Sequence, residues 1–228
     1  DDTVRVWSLA PPPGTPATTA AAGQLASQSS PAAAAVPHNL FSRDLVHAFH
    51  IVHTPLQVPP EYERRFGFID YRNRRTYAAM VLMLDAIVGE LVGAIKAKPG
   101  MWDKTLVGFA SDNGGPIYRP GSGNNHPLKG GKFNSYEGGV RVPALLAYDG
   151  LRGVLALRLS SSDVLPTFVE LATGVALRGL EERPFDGESF ADALDALRRR
   201  DAPRRARRRP LGFEYRDQKA WLDGDEKL

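Results

Sequence analysis

An acidic residue and an amide, Asp112-Asn113, stand just beyond the apolar run at residues 105–110 and just before Gly114-Gly115. A carboxylate beside an amide oxygen offers two hard donors, which suit Ca2+ with Mg2+ as the alternative, whereas Zn2+ selects histidine or thiolate. The same four residues also make an ordinary turn, so their meaning depends on what surrounds them. Lys132 follows Lys129-Gly130-Gly131, where bare backbone lets a ligand approach and an ammonium can meet an anion's oxygens. This is not a nucleotide-binding loop, because no glycine stands at the required upstream spacing and Phe133 replaces the magnesium-binding hydroxyl. His53 closes a second apolar run, at residues 45–52, and Pro55 follows it. His126, in Asn124-Asn125-His126-Pro127, is a loop histidine that either lines a pocket mouth or faces solvent. His38, His47 and His50 carry no usable pattern, and the alternation of His50 with Val52 reads as structural.

These residues need elements to carry them. Residues 45–52 read as a buried strand that must leave its sheet at Thr54-Pro55. Between residues 76 and 98 apolar side chains recur every three or four positions, which predicts an amphipathic helix stopped by Lys98-Pro99-Gly100. Residues 105–110 follow as a second strand. Helix then strand predicts a covered, mostly parallel sheet, and ligands of such sheets bind beyond the carboxyl ends of the strands, where His53 and Asp112-Asn113 both fall. Residues 140–148 suggest a strand interrupted at Pro143, which implies an edge position or a bend. Residues 160–172 carry the serines, aspartate and first-turn proline of a capped helix ended by Gly174, and residues 186–200 form a helix with Phe190, Leu194 and Leu197 on one face. Residues 211–215 and 219–222 read as strands with no closing element. Asp1-Asp2 receives no role, since Thr3-Val4-Arg5 does not read as a strand leading into a glycine turn.

Composition bounds the rest. The chain has 228 residues, 43% hydrophobic and 24% charged, enough for one α/β domain. Large apolar side chains are scarce between residues 9 and 37, so residues 1–40 are expected to be a disordered low-complexity arm, with a partial α/β domain at 41–197. The net charge is +3, yet residues 198–209 alone hold eight arginines and one aspartate, which is +7 and leaves −4 for the remainder. This run, at 198–210, reads as a solvated linker; a polyanion or sulfated glycan is the alternative partner, and without an aromatic platform no nucleic acid is expected. Residues 211–228 begin a small second subdomain. With no cysteine, disulfides, thiolate metal sites and a thiol nucleophile are all excluded from this chain. No membrane span is expected, and residues 1–14 lack the layout of a signal peptide, which implies an intracellular product or a missing start.

The segments at residues 109–115, 123–132 and 136–141 together resemble the second half of a type I sulfatase, most of all the arylsulfatase B group. Residues 52–59, 77–85, 163–167 and 185–187 also match that group in the same order, so the similarity runs from about Ala48 to Leu228. The resemblance implies an alkaline-phosphatase-like α/β fold and hydrolysis of sulfate esters, from a sulfated small molecule or glycan, with one Ca2+ and a formylglycine nucleophile made from cysteine. Position by position, it implies that Asp112 and Asn113 ligate the metal, that Lys132 contacts the sulfate, and that His53 hydrogen-bonds the ester near its bridging oxygen. His126 would line the substrate pocket. A cation and a proton donor at those places would stabilise the charge that gathers on the leaving oxygen. The resemblance suggests a lysosomal or secreted protein.

The departures are as specific. The family's aspartate pair, its Cys-x-Pro-x-Arg segment with the nucleophile, and a further lysine and histidine have no counterpart in this sequence, so an incomplete, inactive chain is expected. A non-catalytic sulfate- or glycan-binding protein is the alternative. A phosphodiester or phosphonate hydrolase is disfavoured, because such relatives add histidine and aspartate ligands that are missing after Asn113. An incomplete sheet should also leave the apolar face of the helix at residues 76–98 uncovered, so the isolated chain should associate, as sedimentation would detect. A sharp cooperative melt as a monomer would refute that expectation.

Overall fold

The computed structural model describes residues 4–6, 45–148, 151, 153–155, 157–175, 185–201, 210–223 and 226–228. Strand β1 is Val4–Val6, helix α1 Pro60–Glu63, helix α2 Arg72–Lys96, strand β2 Val107–Ala110, helix α3 Glu137–Val140 and strand β3 Ala144–Ala147. Strand β4 is Gly153–Leu155, helix α4 Val164–Thr173, helix α5 Ala191–Arg198, and strands β5, β6 and β7 are Leu211–Tyr215, Gln218–Asp223 and Glu226–Lys227.

Helix α2 forms where the apolar period predicted it, although it begins earlier, at Arg72. The hydroxyl of Thr76 donates to Glu63 Oε1 at 3.0 Å and to the Arg72 carbonyl at 3.1 Å, which ties α1 to its first turn. Beyond Lys98-Pro99 the chain reverses at Gly100, whose φ of 67° suits a residue without Cβ. Only Thr76, Ala79, Met80 and Val92 of α2 are buried, while Val81 and Leu91 stay close to half-exposed. The expectation of no membrane span needs correction on composition: α2 is long and apolar enough to cross a bilayer, because Asp85 and Glu90 are its only charges across a long apolar stretch.

The strands depart from the sequence reading in five places. Residues 45–50 form no strand, and Leu45 and Val46 are exposed, because a strand requires a partner ladder and none among the described residues pairs with this run. His50, read as structural on that strand, is exposed. All described ladders are antiparallel, the central one pairing Val107 with Ala147 through Ala110 with Ala144, so the parallel pairing inferred from helix followed by strand does not occur among them. Val140 ends α3 instead of beginning β3, since Pro143 delays the ladder to Ala144. Val4–Val6, given no strand in the sequence reading, pairs with β4 in the register Val4 with Leu155. A closing strand also exists: β7 pairs with β6, and Trp221 and Leu228 exchange both backbone hydrogen bonds at 2.8 Å. The remainder of the expected arm and residues 202–209 of the arginine run lie outside the described residues; Arg198, assigned to that run, is the last residue of α5.

The core gathers β3 and β4 against α4 and α5 through Leu146, Leu155, Leu171, Phe190 and Leu194. Burying each of these side chains contributes about 1.5–3 kcal/mol. Ser160 caps the turn that leads into α4, and Asp163 completes a capping box. Asp163 is fully buried: one carboxylate oxygen accepts the Ser160 N–H and the other the Glu188 N–H, both at 2.7 Å. Thr167 donates to the Asp163 carbonyl and accepts the Phe190 N–H, so α5 begins on a polar tie to α4. Gly187 is required beside it, because a Cβ there would strike the Ser162 carbonyl. Asp163→Ala should therefore cost about 2–4 kcal/mol by leaving buried N–H groups unpaired, while Asp186→Ala, at an exposed position, should stay within about 0.5 kcal/mol. Denaturant midpoints of the two variants check this contrast, and equal midpoints would contradict it.

Candidate active site

Residues 111–143 leave β2 and return to β3 as one long excursion, and every charged or polar residue of interest except His53 lies on it. Loops of this length without extended secondary structure are usually functional. Little of the segment is apolar and buried, so backbone pairing holds it together. Ser111 N–H donates to the Pro143 carbonyl at 3.3 Å, Gly114 N–H to Gly139 at 2.9 Å, Lys132 N–H to Gly115 at 3.2 Å and Gly138 N–H to Lys129 at 2.7 Å. Strands of backbone pass so close here that a Cβ on Gly114 would overlap the Gly138 carbonyl, and one on Gly139 the Asn134 carbonyl. The glycines are thus packing requirements of the loop.

One side chain knits the excursion. Asn125 accepts the Gly115 N–H on Oδ1 at 2.9 Å, and its Nδ2 donates to the Gly115 carbonyl at 2.8 Å and the Gly130 carbonyl at 3.0 Å. The carbonyls can only accept and the N–H can only donate, so the amide orientation is determined by its partners. It joins the Asp112-Asn113 turn to the strand of loop that carries Lys132.

His53 and Lys132, remote in sequence, meet: Lys132 Nζ lies 3.3 Å from His53 Nε2. On its other side His53 Nδ1 is 2.8 Å from the Thr54 carbonyl. Because that carbonyl must receive a proton, Nδ1 carries the hydrogen and Nε2 turns a lone pair toward the ammonium. Lys132 is half-buried and His53 exposed, so both reach a solvent-facing surface where an anion can approach.

Asp112 is exposed at the tip of its turn, whereas Asn113 is half-buried and donates from Nδ2 to the Gly114 carbonyl at 2.9 Å. That bond commits the amide nitrogen and turns Oδ1 into the available donor atom. Ser111 stiffens the turn by donating to the Asn113 carbonyl at 2.8 Å. Asp112 and Asn113 thus fit a hard cation in donor type. They fill only part of its shell, since Ca2+ takes 6–8 oxygens and no group of three His, Cys, Asp or Glu gathers among the described residues. His126 sits exposed on the loop, its backbone N–H donating to Asn124 Oδ1 at 3.0 Å, and its ring makes no hydrogen bond among the described residues.

The sequence reading passed over two residues that matter. Asn125 was visible only as part of a motif, and nothing in the sequence distinguishes it from Asn124. Phe133 was noted only for lacking a hydroxyl, yet it adopts a φ of 78° and stacks between Tyr118 and Tyr215, at ring-centre distances of 5.6 and 5.8 Å.

Comparison with known proteins bears on this geometry. A family model described as Sulfatase matches residues 43–175. Arylsulfatase J of Mus musculus is 35% identical over 130 residues, covering 56% of this chain and 21% of that protein, so the chain spans about a fifth of that relative's length. Among solved structures, that of Ps i-CgsB in complex with k-i-k-neocarrahexaose is similar with a TM-score of 0.57 and 33% identity, over 77% of this chain and 40% of that one. The PsFucS1 sulfatase from Pseudoalteromonas sp. is similar with a TM-score of 0.60 and 27% identity, over 78% and 34% of the two chains. These neighbours share the alkaline-phosphatase-like α/β arrangement.

The Asn125 geometry yields an ordered expectation. Asn125→Asp keeps the acceptor for Gly115 N–H but sets a carboxylate against two carbonyl oxygens, so it should destabilise the chain more than Asn125→Ala, by about 2–4 kcal/mol relative to the parent. Chemical denaturation measures the order, and a milder effect of aspartate would show that the amide does not bridge those carbonyls.

Proposed function

This chain belongs to the sulfatase family, and from that premise we propose that His53, Lys132, Asp112 and Asn113 form the part of a sulfuric ester hydrolase site that grips the sulfate and the metal. The observation that supports this most is the His53–Lys132 pair, which sets a cation and an imidazole side by side on an open face.

Lys132 meets a non-bridging sulfate oxygen through its ammonium, and it is held for that by its own N–H on the Gly115 carbonyl. His53 stands where the bridging oxygen departs. Its Nε2 lone pair must first take a proton, which sets an imidazolium 3.3 Å from an ammonium. Two like charges at such a distance repel by about 1 kcal/mol under water-like screening and by several at a protein surface, and a sulfate bound against both offsets that repulsion. The proton then lies on the atom facing the leaving oxygen, while Thr54 holds the ring from behind through Nδ1. Asp112 and Asn113 would hold the cation, Ca2+ with Mg2+ as the alternative. When bound, such an ion supplies positive charge that stabilises the sulfate oxygens during ester cleavage.

A sulfated glycan or small sulfate ester is the substrate class this reading implies. With no cysteine in its 228 residues, the chain offers no precursor for a formylglycine nucleophile, so on its own it binds sulfate without turning over an ester. Titration calorimetry with inorganic sulfate and Ca2+ should show binding that Lys132→Ala removes and His53→Ala weakens, and no sulfate should be released from a chromogenic aryl sulfate. Undiminished sulfate binding by Lys132→Ala would sink the site assignment. Turnover that disappears in His53→Ala would instead overturn the incompleteness.

A further inference from the structure

Asn113 precedes Gly114, and this is the one Asn-Gly pair in the 228 residues. The pair carries a chemistry of its own. A peptide nitrogen that follows asparagine can attack the side-chain carbonyl carbon, and glycine leaves that nitrogen unshielded because it has no Cβ. The Gly114 nitrogen bonds to Asn113 Cγ, the Cγ–Nδ2 bond breaks, and ammonia leaves with the proton that the peptide nitrogen gave up. Water then opens the five-membered imide at either carbonyl and yields aspartate or isoaspartate. No catalyst beyond water and no oxidant or reductant takes part.

The excursion holds each group of this reaction in place. The peptide joining Asn113 to Gly114 is fastened at both ends: its carbonyl accepts the Ser111 hydroxyl at 2.8 Å, and its N–H donates to the Gly139 carbonyl at 2.9 Å. The amide that would leave is engaged as well, since Asn113 Nδ2 donates to the Gly114 carbonyl at 2.9 Å. Gly114 is buried, with its backbone packed against the Gly138 carbonyl, and Asn125 grips the next peptide at Gly115 from the other side. A planar peptide pinned at its oxygen and its hydrogen cannot turn its nitrogen toward Cγ without breaking those bonds.

We propose that Asn113 is a self-modification site, kept as an amide by the closed excursion and converted irreversibly to aspartate or isoaspartate when the excursion opens. The conversion replaces a neutral amide beside Asp112 with a second carboxylate, and the isoaspartate form also lengthens the main chain at the turn. Both changes fall on residues that the excursion packs without spare room, so an opened loop that has reacted does not close again as before. Asn73, Asn124, Asn125 and Asn134 are each followed by a residue with a side chain, so they serve as internal references.

The test incubates the full chain in buffer and in urea, and follows residue 113 by peptide mass mapping with an isoaspartate assay. In urea Asn113 should react ahead of the other asparagines, and in buffer it should react at least about tenfold more slowly than in urea. Ser111→Ala and Asn125→Ala each release one side of the pinned segment, so each should raise the rate in buffer and leave the rate in urea unchanged. Asp163→Ala loosens the tie between α4 and α5, away from the excursion, and should raise the rate in buffer less than Ser111→Ala does. Equal rates in buffer and urea overturn the proposal, as does a rate in buffer that neither loop variant raises. A larger rise in Asp163→Ala than in Ser111→Ala also overturns it, because the reaction would then follow global unfolding and not loop opening. The measurement needs neither sulfate nor Ca2+, so its outcome is independent of the site assignment.

Discussion

The Gly115 peptide is the point on which the site turns. Its N–H and carbonyl are both bound by the Asn125 side chain, and its carbonyl also accepts the Lys132 N–H. A long loop with few buried apolar side chains has little hydrophobic driving force to order it, so the conformational entropy of the excursion must be offset by hydrogen bonds and close backbone packing. Asn125 serves as a substitute strand edge, offering one acceptor and two donors where no β-strand among the described residues pairs with the loop. The glycines follow from this: three pieces of backbone can approach one another around a single amide only if no Cβ intervenes. Asp112-Asn113 and Lys132 are thus two ends of one rigid loop.

His53 is held very differently. The run before it forms no strand, and its ring is held by the Thr54 carbonyl on one nitrogen and Lys132 on the other. One bond is local and fixes the tautomer; the other is electrostatic and depends on the proton state of the ring. A residue held so lightly takes its position from its partner. Placing Lys132 rigidly and letting His53 follow it means that the loop sets the geometry for both.

Much of the framework could be read from periodicity, for physical reasons particular to each segment. Helix α2 and helices α4 and α5 carry their own patterns, because a helix satisfies its backbone internally and shows its buried face every three or four residues. The start of α4 was equally visible, since Ser160, Asp163 and Pro166 act within one turn. Strands were harder. Residues 45–50 look like a buried strand by composition, but a strand exists only where another edge receives it, and that condition is not written in the segment itself. The same dependence hid Val4–Val6 and the closing strand β7, which are too short to show alternation and are defined by β4 and β6. At the candidate site, residue type singled out Asp112, Asn113, Lys132 and His53 as candidates, and the structure brings His53 to Lys132. Residue type could not reveal Asn125, whose role is a matter of which two carbonyls lie near its amide, or the conformation of Phe133, which residue type alone argues against.

The small C-terminal sheet completes this picture, because it grips the excursion from outside. Lys227 of β7 pairs with Glu137 of α3 at 2.6 Å, Gln218 of β6 accepts the buried Ser135 N–H at 3.3 Å, and Tyr215 of β5 stacks on Phe133. The contacts fall on residues 133–137, immediately after Lys132, while Asn125 and Gly115 restrain the residues before it. Exposed ion pairs contribute little by themselves, but one part-buried pair, one backbone hydrogen bond and one ring contact together oppose the same motion. Lys132 is therefore bracketed: an amide clamp precedes it and a docked sheet follows it. The left-handed Phe133 is the hinge between the two restraints, and it can remain strained because both of its neighbouring segments are fixed.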